Sequence, residues 1–413
     1  MTRDQAEFYD ALETRSADAR AAAMAALLPR VVEGARALPY YADALAGVDA
    51  QAVTDPATLA RLPVTRKSLL VGQQAERPPF AGLAPAAGIA RVFASPGPIY
   101  EAQPDTPDPW RFARALHATG LRAGDLVHNC FAYHFTPAGF MLDAGACALG
   151  CPVFPAGTGN TEMQARAAAH LRPRAYSGTP DFLKTILEKA DELGLDLSFL
   201  TLGHVTGGAY LPTLRAWYAA RGMTVLQSYG TADLGLIAYE SAAREGLILD
   251  EGVLLEIVRP GTGDPLPDGE VGEVVVTTLD PRHPLLRFAT GDLSAILPGA
   301  SPCGRTNRRI KGWMGRADQA AKVRGMFVRP EQVAEVLRAV PAVAKARLVV
   351  SLEGDRDTML LRAEATAPDD SLAARLAEAL QAATKLRGQV ELVPPGGLPN
   401  DGKVIDDTRP VPA

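Results

Sequence analysis

The stretch Thr224-Val-Leu-Gln-Ser-Tyr-Gly-Thr-Ala-Asp-Leu-Gly235 (TVLQSYGTADLG) sets how the rest of the chain is read. Its first residues are β-branched or apolar, as a buried strand requires. Its second half exchanges packing residues for an aromatic, two glycines, a threonine and a carboxylate. Open α/β sheets keep their ligands beyond the carboxyl ends of their strands. A strand that ends on Tyr229, Gly230, Thr231 and Asp233 therefore predicts a site at that end of such a sheet.

Upstream the pattern alternates. DLVHNCFAY, CPVFPAG and LGHVTGG predict strands, and Trp110 to Thr119, Pro137 to Leu149, TEMQARAAAHL and PDFLKTILEKADELG predict helices. Strands alternating with helices of this length imply βαβ units and a mainly parallel sheet. Further back, residues 5 to 38 form an Ala-rich helix ended by Leu38-Pro39. LARLPVTRKSLL, residues 59 to 70, then gives a docking segment and a helix start at Thr65.

Downstream the texture changes. VLLEIVRPGTGDPLPDGEVGEVVVTT is two β-rich runs around a Gly/Pro/Asp turn. A mostly antiparallel region is expected around it, over about 236 to 298. After Gly312-Trp313-Met314-Gly315 an α+β pattern begins. It has a helix over Pro330 to Val340, strands at KARLVVSL, TMLLRAEA and QVELV, and a helix at LAARLAEALQAATK. The fold class is α/β. A large N-terminal domain, 1–315, has layered parallel sheet and helices with a β-rich subdomain, and a small α+β domain follows at 316–413.

Composition narrows the function. The chain has 413 residues, 47% apolar and 22% charged, with a net charge of -5. It can bury a large core without staples. An acidic balance with interspersed charges argues against nucleic acid and anionic lipid as partners. Cys130, Cys147, Cys151 and Cys303 form no CxxC pair, which suits a reducing, cytoplasmic setting. Cys147 and Cys151 read as core. The N-terminus (MTRDQAEFYDALETR) lacks an apolar signal core. No apolar run reaches about 18 residues, so no membrane span is expected.

Four polar segments resist explanation as packing: SYGTADLG, FATGDLS, GRADQAAKVRGMFVRPEQVAEVL and LPNDGKVID. With LARLPVTRKSLL, the GNTE at 159–162, PLLRFATGDL and PCGRTNRRIKGWMGRADQ, their order resembles the adenylate-forming (AMP-binding) superfamily, and within it the phenylacetate-CoA ligase-like family. The resemblance runs over almost the whole chain. It implies an acid–thiol ligase that uses ATP, Mg²⁺ and coenzyme A. A small-molecule carboxylic acid, aromatic or arylacetic, becomes an acyl-adenylate. The small domain then rotates, and the thiol displaces AMP.

The resemblance also implies roles. Lys403 bridges the substrate carboxylate and the α-phosphate, offsetting two repelling anions. Asp233 stands where the family has Glu and faces Mg²⁺. Asp292 accepts from both ribose hydroxyls, Tyr229 stacks on adenine, and Gly207, Gly208 and Ala209 lie against it. Gly230 and Thr231 continue that nucleotide site, and Arg316 meets ribose or phosphate. Asp318 is the hinge, and Arg324-Gly325 line the thiol tunnel. Phe131, Tyr133, His134, Phe135 and Gly157 shape the acyl pocket, with core packing the competing reading for Phe131 and Phe135.

Two departures stand out. The family's phosphate loop, S-S-G-T-T-G-K-P, is here Ala94-Ser95-Pro96-Gly97-Pro98-Ile99-Tyr100-Glu101. Ser95 and Gly97 survive, two prolines remove N–H donors, and Glu101 repels phosphate. The hydroxyl residue before the metal carboxylate is Ala232. An ATP-impaired homologue that binds nucleotide or acyl ligand is therefore one alternative, and a ligase that loads a carrier-protein thiol is another. Relatives can hold a structural zinc where this chain has Ser241, Ile248, Ser301 and Cys303. Ser and Ile supply no soft ligands and one Cys cannot hold the ion, so no structural zinc is expected, and Cys303 reads as a small buried hydrophobe. The reading leaves room for a homodimer.

Overall fold

The structure is a computed structural model that describes residues 7–95, 98–317, 319, 321–323, 326–353 and 356–409. By internal contacts the chain divides into two compact units. One comprises Met1–Leu255, Val276–Phe288 and Leu297–Gly312, and the other Glu256–Val275, Ala289–Ile296 and Trp313–Ala413.

The first unit carries the alternating pattern. Strands Val153–Pro155, Val127–Asn129, Ala175–Gly178, Leu202–Val205 and Thr224–Thr231 lie side by side and parallel. Gly235–Tyr239, Leu247–Leu249 and Arg309–Ile310 extend the sheet antiparallel. Successive strand residues face opposite sides, and each side has its own core. Ala175 and Leu202 pack with Phe112, Leu116, Leu142 and Ala146 from helices Phe112–Thr119 and Ala138–Ala148. Tyr176 and Val205 pack with Leu183, Ile186, Leu187 and Tyr218 from helices Pro180–Glu192 and Pro212–Ala220. This is the layered α/β fold expected.

Local capping explains where elements begin. Ser16 accepts from Ala19 N, so the N-terminal helix runs Ala17–Arg36 instead of starting near residue 5. Thr65 does not open a helix. It sits in the short strand Thr65–Arg66, and its hydroxyl donates to the Leu286 carbonyl at 2.9 Å. The helix starts at Leu70, after a 3-10 turn over Lys67–Leu69.

In the second unit, strands Gln389–Val393, Arg356–Glu364, Ala346–Glu353 and Ile405–Asp407 form one sheet in that order. Helices Pro330–Ala339 and Asp370–Thr384 supply Val333, Val336, Leu372, Leu376 and Leu380 to a core with Leu348, Val350 and Leu361. The Pro/Gly-rich tail supplies the strand Ile405–Asp407, which pairs parallel with Ala346–Glu353. Among the described residues, no helix is long and apolar enough to cross a membrane.

Candidate active site

The Tyr229–Gly235 motif is a hairpin tip. Tyr229, Gly230 and Thr231 still belong to strand Thr224–Thr231, and the chain returns as Gly235–Tyr239. A Cβ on Gly230 would lie 2.5 Å from the Gly235 carbonyl oxygen, so only glycine lets the two strands meet there. Thr231 Oγ1 accepts from Leu234 N at 3.1 Å and closes the turn that bears Asp233. The Asp233 side chain is nearly buried, and Lys67 Nζ donates to its Oδ2 at 2.5 Å. Sequence reasoning quoted Lys67 within LARLPVTRKSLL but gave it no role.

Beside this pair stands the phosphate-loop equivalent. Ile89–Ser95 and Ile99–Pro104 form a hairpin, with Gly97 outside the described residues. Ser95 Oγ donates to Oε1 of Glu101, so the surviving hydroxyl is already committed. Glu101 is 8% exposed, and its Oε2 has no hydrogen-bond partner among the described residues. Burial and the neighbouring Asp233 push its carboxyl up to about 7, against the pull of Ser95 and Lys67. A neutral Glu101 is a far milder neighbour for phosphate than the anion expected from sequence.

Among the residues expected to shape the acyl pocket, Phe131 is buried, and a Cβ on Gly207 would lie 3.9 Å from its ring. Gly207 has φ +71°, which favours glycine. Gly208 lies against Pro180, and Ala209 is exposed. Tyr229 is buried opposite Ala238 in the register. Asn129 Nδ2 donates to the Tyr133 hydroxyl at 2.7 Å, and that hydroxyl donates to Asp143 at 3.0 Å. Tyr133 thus ties its loop to helix Ala138–Ala148. His134 is exposed, and the Phe135 side chain is 83% exposed on a left-handed backbone. The core alternative for Phe135 is therefore excluded. Its carbonyl accepts from Ala94 N at 2.8 Å, linking the loop to the phosphate hairpin. Gly157 donates its N–H to Asn129 and accepts from Gln164 Nε2 at 3.0 Å.

In the second unit, Asp292 is buried, and its Oδ1 accepts from Trp313 Nε1 and Arg316 Nη1, each at 3.0 Å. Gly291 at φ +76° leaves room for the Arg316 guanidinium, since a Cβ would lie 2.7 Å from it. Trp313 went unrecognised in the sequence, although GWMG sits next to Arg316. Lys403 is half-exposed, and its Nζ donates to Asp406 at 2.8 Å. Gln319 holds this loop by accepting from Ile405 N at 2.8 Å and donating to the Gly402 carbonyl at 2.9 Å. Asp318, Arg324 and Gly325 lie outside the described residues.

The four positions at which the resemblance would put a zinc site do converge. Ser301 Oγ lies 3.1 Å from Cys303 Sγ, Ser241 also hydrogen-bonds the thiol, and Ile248 shares a core with it. Burial raises the Cys303 thiol, but hydrogen bonds from Ser241, Ser301 and Arg305 outweigh it and hold the group below the usual thiol range. Cys303 is half-buried and polar-bonded, a correction to its reading as an apolar filler. Cys147 is also corrected: it is exposed, whereas Cys151 is buried.

Residues 119–279 match the family model described as AMP-binding enzyme. A phenylacetate-coenzyme A ligase from Thermus thermophilus is 33% identical over 355 residues, 80% of this chain and 78% of that one. The chain belongs to the phenylacetate-CoA ligase-like branch of the AMP-binding enzymes. It is an acid–thiol ligase. A phenylacetate-coenzyme A ligase from Aromatoleum evansii is 32% identical over 79% of this ligase and 77% of its own length. The structure of 2-hydroxyisobutyryl-CoA ligase in the postadenylation state, with 2-HIB-AMP, aligns with TM-score 0.71 at 24% identity, covering 98% of this ligase and 94% of that chain. That likeness supports the fold alone.

Proposed function

We propose that the protein uses ATP to activate an aromatic or arylacetic acid and passes the acyl group to coenzyme A. What carries this reading is the match over four-fifths of the chain to curated phenylacetate-coenzyme A ligases. In the first step a carboxylate oxygen bonds the α-phosphorus, and pyrophosphate leaves with the bonding electrons. Two anions must meet, so a cation has to stand between them; Lys403 takes that role. Asp292 takes the ribose hydroxyls, Arg316 the ribose or phosphate, and Tyr229 the adenine, against Gly207, Gly208 and Ala209. In the second step the thiol attacks the acyl carbonyl and AMP departs.

Mg²⁺ takes few protein oxygens and keeps phosphate oxygens and waters. Asp233 offers one hard carboxylate oxygen, so the residues fit the ion. When bound it would neutralise triphosphate charge. The proposal keeps 1–315 and 316–413 as the functional domains, with rotation about Asp318 and Arg324-Gly325 beside the thiol. It places the enzyme in the cytoplasm and leaves room for a homodimer.

One observation favours a second reading. The Ser95 hydroxyl is spent on Glu101, which supports an enzyme that handles AMP or acyl-adenylate better than ATP. Pyrophosphate release with a panel of aromatic acids tests the first reading. The wild type releases pyrophosphate, and Lys403→Ala loses most of it, on the order of a hundredfold. Full activity in that variant would remove Lys403 from the mechanism. Calorimetry that finds AMP binding but no ATP binding would favour the second reading.

A further inference from the structure

Lys403 stands between two aspartates that share one buried arginine. Arg347, on strand Ala346–Glu353, is 6% exposed. Its Nη2 donates to Oδ1 of Asp401 and to the Pro399 carbonyl, the latter at 3.3 Å. Its Nη1 lies 3.8 Å from Oδ2 of Asp406. Lys403 bonds the same two carboxylates. Its backbone N donates to Asp401 Oδ1 at 3.1 Å, and its Nζ donates to Asp406 Oδ1 at 2.8 Å.

A guanidinium out of water is costly unless its fork is filled. Here Nη2 bonds the residue two before the lysine and Nη1 faces the residue three after it at 3.8 Å, while Nε has no hydrogen-bond partner among the described residues. The downstream arm is also fixed by the strand ladder, Leu348 with Ile405 and Val349 with Asp406. The upstream arm has no ladder, and Arg347 grips it at Pro399 and Asp401. Arg347 also competes for the carboxylate that holds the lysine ammonium. Without it, Lys403 would be the only cation paired with Asp406 among the described residues.

We propose that Arg347 is a positioning residue for Lys403: it sets the course of the lysine loop and weakens the hold of Asp406 on the ammonium, so that Lys403 is free to meet the reacting anions. This rests on the reading of Lys403 as the cation of the adenylation step.

The test separates the half-reactions in the full-length enzyme, using Lys403→Ala as control. Adenylation is followed as acid-dependent pyrophosphate exchange with phenylacetate, and thioester formation as the reaction of supplied phenylacetyl-adenylate with coenzyme A. Arg347→Met lowers exchange about tenfold or more, because a misplacement near 1 Å suffices for that. It leaves thioester formation within about twofold. Arg347→Lys recovers part of the loss, since one amine cannot serve both carboxylates. If Arg347→Met fails to fold, Asp401→Asn, at a half-exposed position, decides through the same split on a smaller scale. Equal loss in both half-reactions, or unchanged exchange, overturns the proposal. If Lys403→Ala abolishes exchange while Arg347→Met retains it, only the positioning role falls. If Lys403→Ala keeps exchange, the reading of Lys403 itself has failed and the role of Arg347 falls with it.

Discussion

A carboxyl group beside a hairpin proposed to meet phosphate would repel that ligand when charged and tolerate it when neutral. Glu101 sits at that division, pushed up to about 7 mainly by burial, with Asp233 adding to the shift. The folded state therefore holds a proton that the unfolded chain, titrating near 4.5, releases. Between about pH 4.5 and 7 the native state binds more protons, so stability attributable to Glu101 falls as pH rises and the loss is complete above about 7. Glu101→Gln removes the titration. Its unfolding free energy should gain on that of the wild type across this window, by at most about 3 kcal/mol in total, and run parallel to it above. A gap that does not change with pH would mean that Glu101 is charged throughout.

At the scale of elements, the hairpin that bears Asp233 depends on the close approach at Gly230. A methyl there meets the Gly235 carbonyl oxygen, a backbone atom that cannot swing aside. Gly230→Ala should cost about 1–3 kcal/mol in urea unfolding, and should lower adenylation by moving Asp233 from Lys67. An unchanged midpoint would show that the strands separate without strain. The same element marks what was legible in the sequence. The alternating strands and helices were, because each carries its own period and turn residues. The glycine-rich tip was, because glycine is scarce inside strands. Lys67 was not: it meets Asp233 across 166 residues of chain, and no local pattern encodes such a pairing. Trp313 escaped for a like reason, since its value lies in one indole N–H aimed at Asp292. The competing core reading of Phe135 failed because hydrophobicity predicts burial, whereas its side chain is exposed on a left-handed backbone. Thr65 looked like a cap and instead joins a strand whose partner lies more than two hundred residues away.

For the whole molecule, nucleotide binding and global stability are linked, because a ligand that binds only the folded chain stabilises it by mass action. AMP at a hundredfold excess over its dissociation constant should raise wild-type unfolding free energy by about 2.7 kcal/mol. The carboxylate of Asp292 accepts from Trp313 and Arg316 on one oxygen. An amide of the same shape keeps one acceptor but loses the charge and the capacity to accept from two ribose hydroxyls. Asp292→Asn should therefore fold, with some loss of stability where Arg316 no longer meets an anion, and should show little or none of the AMP-dependent gain at the same concentration. Lys403→Ala, by contrast, should keep most of that gain, because the proposed lysine acts on charge that develops between acid and phosphate and not on the nucleoside. Thermal melts of the three proteins with and without AMP separate binding from chemistry without any turnover. A full AMP shift in Asp292→Asn would move the ribose contact elsewhere and leave the cluster of buried Asp292 with exposed Arg316 and Trp313 with a purely structural role.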